Sequence, residues 1–129
     1  MPPKYKTLTL QSGNKIFLGK DEKSNDFLMK EFENKPNTIL HTAKPGSPFC
    51  VLDSLEHSKQ DLKEAAIICA AKSQDWRDNK KSVKLHQFTG QQVSKPKGSK
   101  AGSWSLKTKP KLIKARKKEI NKWLSDISN

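Results

Sequence analysis

The sequence is short of cysteine, arginine, aromatic residues and long apolar runs, and each shortage excludes something. Two cysteines, Cys50 and Cys69, cannot staple a disulfide-rich secreted scaffold. No stretch approaches the ~18–20 apolar residues of a membrane span. Met1-Pro2-Pro3-Lys4 lacks the apolar centre of a secretory signal. A soluble, cytoplasmic protein is the expectation. Hydrophobic residues make up 33% of the 129 positions and aromatic ones 7%, which suits one domain with a modest core.

Acidic residues are scarce in one half only. Residues 1–79 carry 12 basic and 11 acidic side chains, a net +1, whereas residues 80–129 carry 14 and 2, a net +12. A lysine-rich background would enrich both halves, so the imbalance points to a polyanionic partner. Nucleic acid fits first, RNA or DNA; an anionic membrane surface ranks below it. Lysine outnumbers arginine 24 to 2. Arginine forks read guanine edges, whereas lysine is a flexible point charge, so recognition of backbone and shape is expected over reading of bases.

Hydropathy patterning gives an α+β fold: a small domain with a mostly antiparallel sheet of at least five short strands, packed by two helices, plus a basic C-terminal helix. Tyr5 to Leu10 alternates with period two, Ser12-Gly13-Asn14 turns, and Lys15 to Leu18 returns as a second strand. Ser24-Asn25-Asp26 signals a short helix ending before Pro36. Thr38–Thr42 and Phe49–Leu52 read as strands around the turn 44–48. Ser58 as N-cap with Asp61 three residues on starts a helix over about 60–73, with Leu62, Ala65, Ala66, Cys69 and Ala70 on one face. Val83 to Phe88 and Ser103 to Leu106 are further strands. After Pro110, Ile113, Ile120, Trp123, Leu124 and Ile127 recur at helical spacing. The boundaries that follow are 1–107 for the domain and 108–129 for a basic amphipathic helix.

Enzyme signatures are sparse: no phosphate-binding loop, no GxGxxG and no HExxH occurs. His41, His57 and His86 match no common metal spacing, so neither a metal nor a cofactor is expected, and the cysteines read as small core residues. His41 and His86 both lie in strands and could oppose each other, an arrangement that supports acid–base cleavage of RNA. The simpler reading, that each holds a carbonyl or a phosphate without reacting, is preferred. The segment Lys95-Pro96-Lys97-Gly98-Ser99-Lys100-Ala101-Gly102 is the most informative. Its glycines let the backbone turn and aim N–H groups at phosphate oxygens, its lysines supply charge, and Trp104 follows as a core or stacking residue.

These features together resemble the NFACT-R domain, an RNA-binding module of proteins in ribosome-associated quality control. Leu18-Gly19-Lys20 with Asn25-Asp26 and Leu28 is similar to that family's opening block. His41 and Pro45-Gly46-Ser47, Glu64-Ala65-Ala66 with Ser73, and Lys95-Pro96-Lys97-Gly98 with Ala101-Gly102 follow in its order. Departures are Ile39-Leu40, where the family often has Trp-Phe, and Pro48, where it often has His. The larger relatives join this module to a catalytic-like domain, a helix-hairpin-helix element and a coiled coil, none of which is matched here. A stand-alone module is therefore expected, with a separate protein supplying those parts.

The resemblance implies a non-enzymatic protein that binds rRNA or tRNA on the large ribosomal subunit. Lys95, Lys97, Gly98 and Lys100 would contact phosphate in the loop, and Lys44, Ser47 and His41 near the central turn. Lys107, Lys109, Lys111, Lys114, Arg116, Lys117 and Lys118 would extend the surface along the C-terminal segment. A DNA-binding role and a membrane- or protein-docking role for the last helix are the alternatives; an RNA-processing enzyme ranks last.

Overall fold

The computed structural model describes residues 5–42 and 47–128. The two ends of the sheet form first in the chain and last. A hairpin of β1 (Lys6–Thr9) and β2 (Lys15–Leu18) opens the fold. Gly13 turns it with φ +97°, a conformation that favours glycine. After α1 (Glu22–Phe32) come β3 (Thr38–Thr42), β4 (Cys50–Leu52), α2 (Lys59–Ala71), a short α3 (Gln74–Asn79) and β5 (Val83–Thr89). A two-stranded ribbon of β6 (Val93–Ser94) and β7 (Ser105–Leu106) precedes β8 (Lys111–Ala115) and α4 (Lys117–Ser128). The main sheet has six strands in the order β1-β2-β4-β3-β5-β8, every neighbouring pair antiparallel.

Both faces of the sheet are covered because the strands are apolar on both sides. Leu40, Cys50 and Leu85 face α2 and α4, whereas Ile39, Val51 and Phe88 face α1 and the β6–β7 ribbon. The alanine-rich face of α2 lies against the sheet as its small side chains permit: Ala65, Ala66, Cys69 and Ala70 are all buried. Its start follows the expected capping box, Ser58 accepting from Asp61 N and Asp61 accepting from Ser58 N. The buried Asp61 carboxylate also accepts from Ser12 Oγ at 2.6 Å and Asn14 Nδ2 at 2.8 Å, which ties the first hairpin turn to the helix.

Three sequence expectations change. Helix α1 starts a turn earlier than Ser24: Asp21 is the N-cap and Ser24 completes its capping box from the N3 position. Helix α3, capped by Ser73, is an element not expected from the sequence, where the preceding helix ends at about 73 and no further helix follows it directly. Residues 111–115 form a strand, not the first turn of the C-terminal helix. They fill the open edge of β5, pairing Leu85 with Ile113 and Val83 with Ala115, and turn Ile113 and Ala115 inward with period two. Helix α4 is correspondingly shorter and packs on α2. Ile120 is fully buried, Trp123 and Leu124 join the core, and the Lys72 ammonium lies 5.9 Å from the centre of the Trp123 ring.

One glycine shows how close these elements approach. A Cβ on Gly90 would lie 1.8 Å from the Phe32 carbonyl oxygen, and Asn34 N already donates to Gly90 O at 2.8 Å. Gly90→Ala should therefore destabilise the fold by at least about 1–3 kcal/mol through overpacking. Urea unfolding checks this; a midpoint within error of the wild type would show that the segment after α1 can move aside.

Candidate nucleic-acid interface

The loop from Lys95 to Trp104 has the composition of a mobile segment, yet it is pinned. Asp26, on the first turns of α1, accepts from Gly102 N at 2.8 Å, Trp104 Nε1 at 2.9 Å and Lys95 Nζ at 3.1 Å through a single oxygen, Oδ1. Burial pushes the Asp26 carboxyl up, but those three donors outweigh it and hold it below the usual carboxylate range. Two turns shape the loop, Ser99 N donating to Pro96 O and Ser103 N to Lys100 O. Gly98 and Gly102 take φ +79° and +81°, so both glycines serve the backbone itself.

The cations expected to touch phosphate therefore divide. Lys95 is taken up by the fold: its ammonium holds Asp26 and also donates to the carbonyls of Lys100 at 2.5 Å and Ser103 at 3.0 Å. It lies 5.6 Å from the centre of the Trp104 ring, which is half-buried against the core. Lys97 and Lys100 are exposed on the loop, with no carboxylate paired to either among the described residues. Lys107, Lys109, Lys111, Lys114, Arg116, Lys117 and Lys118 are exposed as well. Arg116, Lys117 and Lys118 stand at the start of α4, where the helix dipole disfavours positive charge. Glu119 offsets part of this by accepting from Arg116 N.

The central turn behaves differently. Lys44 lies outside the described residues. Ser47 is buried, and its hydroxyl accepts from Gln74 N at 3.0 Å, which helps hold α3 in place. His41 and His86 are cross-strand partners, as their strands allowed. His41 Nε2 lies 3.1 Å from the Ser47 carbonyl and its ring stacks on Phe49 at 4.0 Å. Burial, helped by the nearby His86, pulls the His41 pKa from 6.5 down to about 4, against the opposing effect of the Ser47 carbonyl. At neutral pH His41 is uncharged and donates through Nε2, which leaves it neither a cation for phosphate nor a proton donor of ordinary acidity.

A cleft of about 830 Å³ opens between α1, the ends of β3 and β5, and the loop. His41, His86, Phe88 and Trp104 line it, with the charged groups of Lys6, Lys20, Lys72, Arg77, Asp21 and Glu22 among its other wall residues. Asp26 and Lys84 were not among the expected site residues. Asp26 stood in the opening block with no assigned role, and its partners lie 69 to 78 positions away. Lys84 faces Lys114 across β5 and β8, a relation that exists only once residues 111–115 are a strand.

Two outcomes follow from this geometry. Asp26→Asn should cost about 1–3 kcal/mol, since it leaves Lys95 without its counter-charge and misaligns the loop donors; urea unfolding and faster amide exchange at Gly102 report it, and unchanged exchange would show the loop is held otherwise. For His41, the unfolded chain takes up a proton near pH 6.5 that the folded protein refuses until about 4. Its contribution to stability is thus complete above about pH 6.5 and is lost as pH falls toward 4. The urea midpoint should drop between pH 7 and 4.5, less steeply in His41→Phe. An imidazole resonance of His41 titrating near 6.5 would contradict this.

Comparison with known proteins places the chain. A curated relative, the archaeal Rqc2 homolog aRqcH of Methanocaldococcus jannaschii, is 25% identical over 89 residues; the match covers 67% of this chain and 13% of that protein. The solved C-terminal part of the fibronectin/fibrinogen-binding protein from Streptococcus suis shares the fold, with a TM-score of 0.79 and 21% identity over 95% of this chain and 49% of the other. The family described as the NFACT protein RNA binding domain matches residues 4–108, which include the opening block, the pinned loop and the cleft between them. The chain belongs to that family.

Proposed function

We propose that this protein binds RNA without reacting with it, holding rRNA or tRNA at the large ribosomal subunit during ribosome-associated quality control. The observation that carries this is the Asp26-pinned loop, which presents Lys97 and Lys100 from a fixed backbone in a chain of the RNA-binding family. Fixing the loop before binding lowers the entropy cost of presenting its charges. The preponderance of lysine supports contact with the phosphate backbone. The chain spans 13% of the length of that curated relative.

The competing roles fare less well on specific grounds. A membrane-docking helix needs a free apolar stripe, and in α4 Ile120, Trp123 and Leu124 are already packed on the domain. No helix among the described residues is long and apolar enough to cross a membrane. RNA cleavage by the histidine pair asks His41 to act as an acid, which its burial opposes. Duplex DNA presents the same phosphate charge as RNA, so the binding experiment carries it as a competitor.

Fluorescence anisotropy against a labelled tRNA and an rRNA fragment, with duplex DNA in parallel, tests the proposal. Neutralising about four to six phosphates gives a slope of log K on log salt near −3 to −5. Lys97→Glu with Lys100→Glu should lower affinity about tenfold or more at low salt. A flat salt response, or equal affinity of the double variant, would remove this surface from consideration; tighter binding of DNA would reassign the partner.

A further inference from the structure

Strand β8 does more than complete the sheet, because it extends the α1-side face into an edge where side chains stay exposed. Cross-strand partners share a face, so His41, His86 and Leu112 form one row across β3, β5 and β8. One step along, Lys84 stands directly opposite Lys114. Lys84, Leu112 and Lys114 are all exposed, and Leu112 retains 65% of its surface. Like charges placed directly opposite in an antiparallel pair destabilise a sheet. Among the described residues no carboxylate is paired with either lysine. Such a pair becomes favourable once an anion lies between the two ammonium groups.

The same row leads into the cleft. His86 belongs to both, and Phe88 and Trp104 line the cleft with it. At about 830 Å³ the cleft falls in the ~300–1,000 Å³ range of small-ligand pockets. Its walls combine aromatic groups with Lys6, Lys20, Lys72 and Arg77. Asp21 and Glu22 sit in its lining, and Glu22 packs near Gly102. The cations can hold the backbone of a bound nucleotide, and base amino groups or a ribose hydroxyl find acceptors in the carboxylates. The neutral His41, donating through Nε2, keeps a lone pair on Nδ1 as a further acceptor. A paired duplex cannot offer a base to such a recess; an unpaired nucleotide can.

We propose that this face selects RNA that carries an unpaired nucleotide, the base entering the cleft against His86 while an adjacent phosphate lies between Lys84 and Lys114. This deepens the RNA-binding reading and rests on it. The loop lysines hold the backbone of any nearby RNA, and the sheet face supplies the preference for an extruded base.

Two RNA hairpins of equal charge, one fully paired and one with a single bulged 2-aminopurine, distinguish the cases with the full chain. The bulged hairpin should bind about tenfold more tightly, the worth of one stacked base, and its fluorescence should fall on binding. Lys84→Gln with Lys114→Gln should weaken the bulged hairpin more than the paired one, and His86→Ala should erase the preference with little effect on the paired RNA. Circular dichroism verifies that these variants of side chains at the sheet surface remain folded, and the wild-type fluorescence change stands independently of them. Equal affinity for both hairpins with unchanged fluorescence would overturn the sheet-face proposal while leaving RNA binding intact. Failure of both hairpins to bind at low salt would instead overturn the RNA reading itself.

Discussion

The carboxylate of Asp26 has to be met by hydrogen-bond donors, and the segment that supplies them is the basic loop. Burial alone drives a carboxylate toward its neutral form, and Ser24 N and Asn25 N in the first turn already donate to Asp21. Gly102, Trp104 and Lys95 provide the donors from far along the chain. Ordering a loop that holds proline, glycine and three lysines costs conformational entropy, and charge-assisted hydrogen bonds offset it. The adjacent Asn25 performs the matching task for the other wall. Its Nδ2 donates to Ser47 O and its Oδ1 accepts from Phe49 N, which fixes the entry into β4. Gly19 follows from this: a Cβ there would lie 1.7 Å from Asn25 Oδ1. Two neighbouring side chains on α1 thus locate both borders of the cleft.

Charge is arranged around this frame at some expense to stability. Three cations crowd the start of α4 against its dipole, and Lys84 opposes Lys114. A fold selected for stability alone would place carboxylates at these points, and residues 80–129 hold only Glu119 and Asp126. Glu119 is spent locally, pairing with Lys63 at 2.9 Å and capping the helix, which anchors α4 to α2. Asp126 pairs with Lys122 one turn away on the surface. The remaining positive charge is left for a partner.

Local features were legible in the sequence, and long-range pairings were not. Period-two alternation located β1, short segments beside turn signals located β2, β3 and β5, and Ser58 with Asp61 located the start of α2, because these signals lie within a few residues of each other. Asp21 and Ser24 can each cap a helix, and the chain uses both, so the later one alone misplaces the start of α1. Ile113 and Ile120 are seven residues apart, a spacing that suits a continuous helix as well as a strand followed by one. Only the vacant edge of β5 decides between them, and that edge is a property of the assembled sheet. Lys95 looked like its neighbours for the same reason: what separates it from Lys97 and Lys100 is Asp26, 69 positions earlier. The family resemblance brought Asn25-Asp26 and the loop into one pattern without saying that they touch.

The division of labour that results follows from the chemistry of lysine. An ammonium group on a four-carbon stem attracts phosphate with little directional preference, so a surface built from it binds RNA while reading almost nothing. Fixing the backbone from which those stems project, as Asp26 does, sharpens the placement of charge but adds no knowledge of sequence. Discrimination must then come from groups that meet bases, and here these are few: the neutral His41, His86, Phe88 and Trp104, gathered at one cleft. A partner with every base paired would leave those groups unused. The low basicity that keeps His41 uncharged is therefore of use to recognition, since the neutral ring keeps a lone pair on Nδ1 to accept from a base.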